Sequence, residues 1–302
     1  MSGISRPGAP DLMLLLLVAV IWGSSFTAIK LAVPEIGAMW TATIRVFIGF
    51  LALLPFFIFK PALPTTVRIW GLTCAAAFLS MVLPFIMISW AMKHVEAGVG
   101  SLLLGTAPFI AMVIGHFTTD DERISPLKLL AVTFAVSGIM VLVGPEAVSG
   151  VGSGALLAQA AVVASGACYV ISGFVMRRID LPPIAFTAIT MAVGSAMLIA
   201  ISLITAGLPN TQASAEAVYA LIWLGLFPTG FAYVMRYFLV KRVGVSTFAL
   251  AMNTVPVFGI LIGALWLGEV IELTTILSLM LILCGLWIAR LGAAQIVNRL
   301  PK

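Results

Sequence analysis

Residues 12–33 read LMLLLLVAVIWGSSFTAIKLAV, and Lys30 is the only charged residue among them. An α-helix rises 1.5 Å per residue, so about 20 apolar residues are enough to cross a hydrocarbon layer about 30 Å thick. The run has no period-two alternation of apolar and polar residues, which would indicate a strand of a membrane barrel. This stretch therefore predicts a membrane-spanning α-helix.

The composition of the whole chain agrees with that prediction. Of its 302 residues, 62% are hydrophobic and only 9% are charged, and the mean hydropathy is +1.19. A soluble domain has about 25% charged residues, and a disordered chain is poor in apolar residues. The net charge of +5 comes from basic residues scattered between apolar segments, which is typical of membrane topology signals and not of nucleic-acid binding.

Charged clusters and Pro or Gly residues divide the chain into ten apolar segments. Each must be a helix, because backbone polar groups have no water to bond in the bilayer. The fold class predicted is an all-α membrane protein with ten transmembrane helices. The predicted spans are residues 12–33, 37–59, 69–91, 96–118, 125–143, 153–176, 183–206, 216–240, 244–267 and 272–291.

The distribution of basic residues predicts the orientation of the spans. Most Lys and Arg residues fall at one set of helix ends, while the opposite ends carry mainly Glu. Because cytoplasmic loops are enriched in Lys and Arg, both termini are predicted to be cytoplasmic, in agreement with an even number of spans.

The chain also resembles itself when it is shifted by 148 residues, with the fourth span falling on the ninth. Five spans per half is an odd number, so the second half must enter the membrane from the opposite side. Inverted repeats of this kind are typical of secondary transporters. We predict a first repeat over residues 1–148 and a second over 149–302. The shift aligns Lys93, Val95, Thr106, Pro108, Gly115 and Asp121 with Lys241, Val243, Thr254, Pro256, Gly263 and Glu269.

The inventory of reactive side chains argues against an enzyme. The chain has only two histidines, His94 and His116, so a His-based catalytic triad or a two-histidine metal site lacks parts. Its three cysteines lie in apolar segments without CxxC spacing. We expect no catalytic residue, no metal and no cofactor.

Charged residues inside a span are costly and usually functional. Only Arg45 and Arg236 lie well within apolar sequence, and no Asp or Glu lies in the middle third of a span. Arg45 is interpreted either as a ligand of a substrate carboxylate or as a partner of backbone carbonyls at a helix break. For Arg236, four residues from the predicted end of its helix, snorkelling to the membrane surface is favoured. An interior without carboxylates favours a neutral or zwitterionic solute, or uncoupled movement, over export of organic cations.

Aromatic and small polar residues are candidates for the lining of a cavity. Trp22, Ser25 and Phe26 share one face of the first span. Trp22 and Tyr169 combine a large ring with a polar tip, which suits stacking on the apolar part of a ligand. Trp90 is either a lining residue or an anchor at the membrane interface.

Prolines inside the spans are candidate hinges, because each removes a backbone donor and frees a carbonyl. Asn253 lies beside one of them and is either a clamp between helices or a substrate contact. The candidate hinges are Pro84, Pro108, Pro228 and Pro256, and the candidate cavity residues near them are Phe85, Phe231, Tyr233, Asn253 and Thr254, with ordinary core packing the alternative for the aromatic ones.

Four features of the sequence are informative together: WGSSF at 22–26, Arg45, the Pro-containing fourth and ninth spans that end near Asp121 and Glu269, and ten spans in two halves. In these features the chain resembles the EamA branch of the drug/metabolite transporter superfamily. The resemblance covers about residues 12–291. It implies a bacterial inner-membrane carrier that exports metabolites such as amino acids by alternating access, most similar to the exporters of aromatic amino acids. By position, it places Trp22, Ser25, Arg45, Tyr169 and Asn253 in or around the cavity. The second half departs from the pattern, since it lacks a second WGS and a counterpart of Arg45.

The function predicted from these observations is export of small metabolites, above all aromatic or other neutral amino acids, by alternating access through a central cavity. The alternatives are a sugar or nucleotide-sugar carrier, for which one interior arginine looks insufficient, and a channel or structural membrane subunit. The expected partners are a small-molecule substrate and the lipid bilayer, without nucleic acid. A monomer is compatible with this prediction.

Overall fold

A computed structural model of the chain describes residues 8–118, 126–149, 154–176, 178–243, 248 and 251–297. Within these ranges the chain is helical and has no strand. The helices are α1 (Ala9–Ile36), α2 (Ala38–Phe59), α3 (Val67–Ala77), α4 (Leu83–Ala91), α5 (Ala97–Leu104), α6 (Ala107–Thr118), α7 (Pro126–Ser149), α8 (Gly154–Met176), α9 (Pro183–Ala206), α10 (Ala215–Leu224), α11 (Ala232–Val243), α12 (Val255–Leu267) and α13 (Leu273–Val297). Two π-helical segments, Phe78–Val82 and Gly225–Phe231, join α3 to α4 and α10 to α11.

The lengths and exposed faces of these helices are those of a membrane protein. Seven stretches of the described chain are long and apolar enough to cross a bilayer, and three further apolar helices are shorter. Large apolar side chains such as Phe59, Ile204 and Trp266 point outward and are more than two-thirds exposed, as expected of a surface that contacts lipid. The predicted fold class, an all-α membrane protein of about ten spans, is confirmed.

The third and eighth spans are interrupted by the two π-helical segments. A proline cannot donate to the carbonyl four residues before it, and its ring crowds that carbonyl, so a wider turn relieves the conflict. In the eighth span Pro228 would face the carbonyl of Leu224, and the Thr229 hydroxyl donates to this oxygen instead, at 2.7 Å. In the third span the Ser80 hydroxyl donates to the carbonyl of Ala76 at 2.6 Å. A side-chain hydroxyl thus replaces the backbone donor that Pro228 lacks, and a second hydroxyl bonds the backbone at the interruption of the third span.

The fourth and ninth spans break where a kink was expected. The fourth is divided at Gly105 and Thr106, and the part of the ninth that the structure describes has a turn at Asn253 and Thr254 before α12. At each break the threonine hydroxyl donates to the carbonyl three residues earlier, at 2.6 Å. The following proline therefore lies in the first turn of a new helix, where its missing N–H costs little.

The packing of the helices relates the two halves of the chain. α1 packs on α12 and on the span formed by α10 and α11, while α8 packs on the span of α5 and α6 and on that of α3 and α4. The pairs α2 with α9, α5 with α12 and α7 with α13 each join one span to its equivalent in the other half. This exchange is the one expected of two five-span repeats. The predicted repeat boundary follows Val148, close to residues 150–153, which lie outside the described ranges.

Small residues allow α1 to lie at the centre of this arrangement. A Cβ atom at Gly23 would come within 2.8 Å of the Phe258 Cβ and 2.9 Å of the backbone nitrogen of Gly259. Only glycine therefore fits where α1 crosses α12. The crossing fixes the rotation of α1 and with it the direction of the Trp22 side chain next to Gly23.

Candidate functional site

Five predicted site residues from five different helices gather around the π-helical segments. Trp22 packs with the apolar cluster around Ala232, and Tyr169 and Tyr233 pack with the cluster around Phe85. We call Trp22, Arg45, Phe85, Tyr169 and Tyr233 the central cluster; they come from α1, α2, α4, α8 and α11 in that order.

Trp22 is fixed by a hydrogen bond and by two aromatic contacts. Its indole N–H donates to the carbonyl of Pro228 at 3.0 Å. Its ring meets those of Tyr233 and Phe248 edge to face, with centroids 6.1 and 6.0 Å apart. Trp22 thereby ties the first span to the π-helical segment of the eighth.

Arg45 is a buried cation without a carboxylate partner among the described residues. Its side chain is 4% exposed. The Nε–H donates to the Thr229 hydroxyl at 3.2 Å, and the guanidinium carbon lies 4.0 Å above the centre of the Phe85 ring. The cation–π contact offsets part of the cost of burial but leaves the charge in place. One of the two roles predicted for Arg45 was a bond to backbone carbonyls at a helix break. Among the described residues, no backbone carbonyl accepts a hydrogen bond from Arg45.

A small cavity of about 30 Å³ adjoins the central cluster. Tyr169 and Tyr233 form part of its wall, and Arg236 of α11 lines it as well. Arg236 is half-buried and faces this cavity, whereas snorkelling was favoured from the sequence. The remaining lining residues are Ser80, Met81, Ser172, Met176, Phe186, Thr187 and Thr190.

Hydroxyl groups of the cavity wall have their protons engaged with backbone carbonyls. Ser80 donates to Ala76 at 2.6 Å, and Thr190 donates to Phe186 at 2.9 Å. Ser172 makes a longer bond to the carbonyl of Ala76, at 3.5 Å. These oxygens keep their lone pairs, so they offer acceptors to the cavity.

Three other predicted residues of the first and eighth spans lie outside the central cluster. The Ser25 hydroxyl donates to the carbonyl of Trp22 within its own helix, at 2.6 Å. Phe26 is 3% exposed in the apolar core beside Gly100. Phe231 is 38% exposed and does not line the small cavity.

The residues predicted beside Pro256 lie at the break of the ninth span. The Thr254 hydroxyl is engaged with the carbonyl of Ala251. The half-buried Asn253 side chain makes no hydrogen bond to another residue within the described ranges. Within the described ranges, neither side chain makes a hydrogen bond to the central cluster.

Trp90 belongs to a second cavity, of about 500 Å³, at the opposite end of α4. Its ring lies 5.0 Å from that of His94. Glu35 also lines this cavity, and its carboxylate accepts from the backbone N–H and the hydroxyl of Ser214 at 2.6 and 2.7 Å. Lys93 lines the same cavity and is exposed.

The Glu269 carboxylate joins two helices at the same end of the bundle, in a contact that sequence analysis did not identify. Glu269 accepts hydrogen bonds from the backbone N–H groups of Ala97 and Gly98, at 2.6 and 3.0 Å, and pairs with Lys30 at 3.2 Å. The carboxylate therefore caps the N-terminus of α5, where free amides and the helix dipole favour negative charge. We call this contact the Glu269 latch.

The Glu96 carboxyl, just outside the spans, is affected by the latch. Burial raises its pKa above the usual value, and the nearby Glu269 carboxylate raises it further, while Lys30 opposes the shift. Glu96 and Glu269 thus share one basic partner.

Within the described chain, no three His, Cys, Asp or Glu side chains form a group able to hold a metal ion. The arginines and tyrosines of the interior suit an anionic or polar organic group instead, because they supply hydrogen-bond donors.

Comparison with known proteins identifies the family. The model of the EamA-like transporter family matches residues 10–144 and again residues 152–291. The chain belongs to the EamA-like transporter family. Two matches, one in each half, are in line with a two-repeat EamA chain.

Curated relatives of this EamA chain are transporters by name. It is 27% identical to the uncharacterized transporter YoaV of Bacillus subtilis, over 89% of this chain and 93% of that protein. It is 27% identical to a probable amino-acid metabolite efflux pump of Salmonella typhimurium, over 93% and 95% of the two chains. A probable terminal-alkyne amino-acid exporter of Streptantibioticus cattleyicolor is 24% identical, with 85% of each chain covered.

A solved crystal structure has the same fold as this EamA chain. The two superpose with a TM-score of 0.68 at 16% sequence identity, covering 97% of this chain and 99% of the other. At this identity the likeness concerns the fold alone.

Proposed function

We propose that this protein exports small neutral amino acids, aromatic ones among them, by alternating access through the region of the central cluster. The observation that carries the proposal is an interior with two arginines near aromatic residues and no carboxylate among the described residues there. Arg45 lies over the Phe85 ring, and Arg236 lines the small cavity together with Tyr169 and Tyr233. An amino acid offers the matching groups, namely a carboxylate for a cation and an apolar side chain for the rings.

The sign of the interior charge supports this substrate class. Arg45 is buried, and Arg236 lines the small cavity. The two ion pairs found among the described residues, Lys30 with Glu269 and Arg242 with Asp11, lie elsewhere. A cationic solute would meet repulsion without a counter-ion, whereas a carboxylate would reduce the cost of the buried charge.

The names of the relatives point the same way. Among them are probable amino-acid metabolite efflux pumps and a probable amino-acid exporter. Because identities are near 25%, these names support amino acids as a class and leave the side-chain preference to be measured.

The helix interruptions provide places at which the halves can move. Broken helices lack a continuous hydrogen-bond ladder, so they bend at lower cost than an unbroken span. Pro84 and Pro228 adjoin or lie within the π-helical segments, and Pro108 and Pro256 follow the two breaks. In our proposal these four prolines mark the hinges. We place the protein in the bacterial inner membrane with both termini in the cytoplasm and the Glu269 latch on the outer side.

Counterflow in liposomes tests the proposal. Purified protein is reconstituted into vesicles loaded with an unlabelled amino acid, and uptake of the labelled one is followed for L-phenylalanine, L-leucine, L-glutamate and L-lysine. We expect saturable counterflow of phenylalanine or leucine, weak counterflow of lysine, and no change when a pH gradient is imposed. Uptake that does not saturate would indicate a channel. Counterflow of nucleotide sugars without any amino acid would replace the proposal by the alternative carrier.

A further inference from the structure

We propose that the small cavity beside Arg236 is the subsite that binds the charged head group of the amino acid. The inference rests on the proposed function, which does not say which residues bind the charged groups of the amino acid. In it, Arg236 and the hydroxyls of Tyr169 and Tyr233 bind the carboxylate, while Ser80, Ser172 and Thr190 accept from the ammonium group.

Three hydrogen-bond donors belong to the wall of this cavity. The guanidinium of Arg236 has only N–H donors, and the phenol groups of Tyr169 and Tyr233 each carry one more. None of the three side chains makes a hydrogen bond to another residue in the described part of the chain. Donors in a cavity wall that have no protein partner can bind an acceptor group of a ligand. A carboxylate is such a group, because its two oxygens carry several lone pairs.

The same wall also contains acceptors. Ser80 and Thr190 have already given their protons to the carbonyls of Ala76 and Phe186, at 2.6 and 2.9 Å. What remains toward the cavity is lone pairs, to which an ammonium group donates. A cavity whose wall supplies both donors and acceptors matches a zwitterion better than a simple anion.

The volume suits the carboxylate end of the head group and excludes a whole amino acid. About 30 Å³ is room for roughly two water molecules, and the two oxygens of a carboxylate can replace them. The side chain of the solute must then extend beyond the cavity. Tyr233 lies in the cavity wall and also meets the Trp22 ring edge to face, so it connects the cavity to the other aromatic residues of the central cluster.

Arg236, and not Arg45, is the cation that this subsite uses. Arg45 is stacked on Phe85, donates to Thr229 and does not line the cavity. Arg236 lies six residues before Arg242, which pairs with Asp11 at the predicted cytoplasmic end. Six residues of helix span about 9 Å, so a solute that comes from the cytoplasm reaches Arg236 early on its path.

Competition by analogues that lack one charged group tests the assignment. Counterflow of labelled L-phenylalanine is challenged with unlabelled phenylalanine, with 2-phenylethylamine, which lacks the carboxylate, and with 3-phenylpropanoate, which lacks the ammonium group. If leucine is exchanged faster, L-leucine, 3-methylbutylamine and 4-methylpentanoate replace them. For the wild type we expect the amino acid to compete about ten- to a hundredfold better than either analogue, the range expected for a charge-assisted hydrogen bond.

The variants separate the two halves of the head group. Arg236→Gln should lose the preference for the amino acid over the amine, whereas Arg236→Lys, which keeps the charge, should retain most of it. Thr190→Val should lose the preference for the amino acid over the analogue that lacks the ammonium group. Arg68→Ala removes an exposed arginine at the start of α3 and should leave both preferences unchanged.

The possible failures are distinguishable. If the wild type exchanges no amino acid, the proposed function fails. If it exchanges amino acids and Arg236→Gln keeps the wild-type preference over the amine, the head group binds elsewhere and the subsite is overturned. Equal loss in Arg236→Gln and Arg236→Lys would show that the charge is not what is recognised, and would overturn it too. Folding of each variant is checked by its elution from a sizing column and by thermal unfolding in detergent.

Discussion

The Glu269 latch and the interior around Arg45 and Arg236 differ in whether their charged groups have partners of opposite charge. In the latch, one carboxylate faces a lysine and two backbone N–H groups, so every charge has a partner. In the interior, the arginines face hydroxyls, aromatic rings and a cavity, and no described carboxylate reaches them.

This difference separates a structural use of charge from a functional one. A buried charge with its partners in place favours one packing of the helices, and removing a partner leaves an uncompensated group. An unpaired cation in a low-dielectric interior raises the free energy of the empty protein and lowers it when an anion binds. Neutralising a charge should therefore affect mainly stability at the latch and mainly transport in the interior.

The largest effect is expected from neutralising Arg45. Arg45→Gln should reduce the initial rate of amino-acid counterflow at least tenfold, because the interior loses half of its positive charge. The free energy of unfolding should change by no more than about 1 kcal/mol, since the loss of a cation–π contact is offset by the lower cost of burying a neutral amide. Arg45→Lys, which keeps the charge, is the matched control. A large loss of stability with unchanged transport would make Arg45 a structural residue.

Neutralising Glu269 should show the opposite signature. Glu269→Gln keeps the shape but places an amide where a carboxylate met Lys30 and two N–H groups, so the free energy of unfolding should fall by about 1–3 kcal/mol. The apparent affinity for the amino acid should stay within about threefold of the wild type. Thermal unfolding in detergent and the concentration dependence of counterflow measure the two quantities. Glu272→Gln removes an exposed carboxylate of the same region and serves as the control. Equal destabilisation by both variants would contradict a specific role for the latch.

The span pattern was predictable because one physical constraint dominates it. An apolar run of about 20 residues with a single charge has few alternatives to a membrane helix, so the first and second spans were predicted within about three residues. The breaks of the fourth and ninth spans were not predictable in this way, because a proline such as Pro108 or Pro256 is compatible both with a kink and with the first turn of a new helix. Tertiary contact separates the two cases. A Cβ at Gly105 would lie 2.7 Å from the Cγ of Pro256, a close approach that no local pattern reveals.

The composition of the candidate site depended on helix rotation, which local sequence fixes less well. Phe231 was proposed because it lies near Pro228, but it sits in a π-helical turn, whose extra residue rotates the following side chains away from their α-helical positions. For Arg236, snorkelling to the membrane surface was favoured because the residue lies near a helix end. Its spacing of three residues from Tyr233 is the signal that places both on one face.

Trp22 offers a finer test of the interior, with a smaller expected effect. Trp22→Phe retains an aromatic ring but leaves the carbonyl of Pro228 without its donor, which costs about 1 kcal/mol. We expect a three- to tenfold lower initial rate of counterflow with the folded protein retained. Trp223→Phe is the matched control, because it also loses one indole hydrogen bond, to the Ser24 hydroxyl, outside the central cluster. Similar rates in the two variants would place the transport path away from Trp22.

The smallest effect is expected from titration of Glu96 beside the latch. Since its pKa is raised, chiefly by burial and then by the Glu269 carboxylate, the folded protein binds this proton more tightly than the unfolded chain does. The contribution of Glu96 to stability is therefore full at low pH and is lost as the pH rises through the raised pKa. Glu96→Gln should remove this pH dependence and hold the unfolding temperature at its protonated value, because a neutral amide no longer repels Glu269. Melting curves of the wild type and the variant, recorded upward from pH 4.5, should diverge as the pH increases. If they stay parallel, Glu96 does not feel the Glu269 charge, and the latch is more strongly screened by solvent than its geometry indicates.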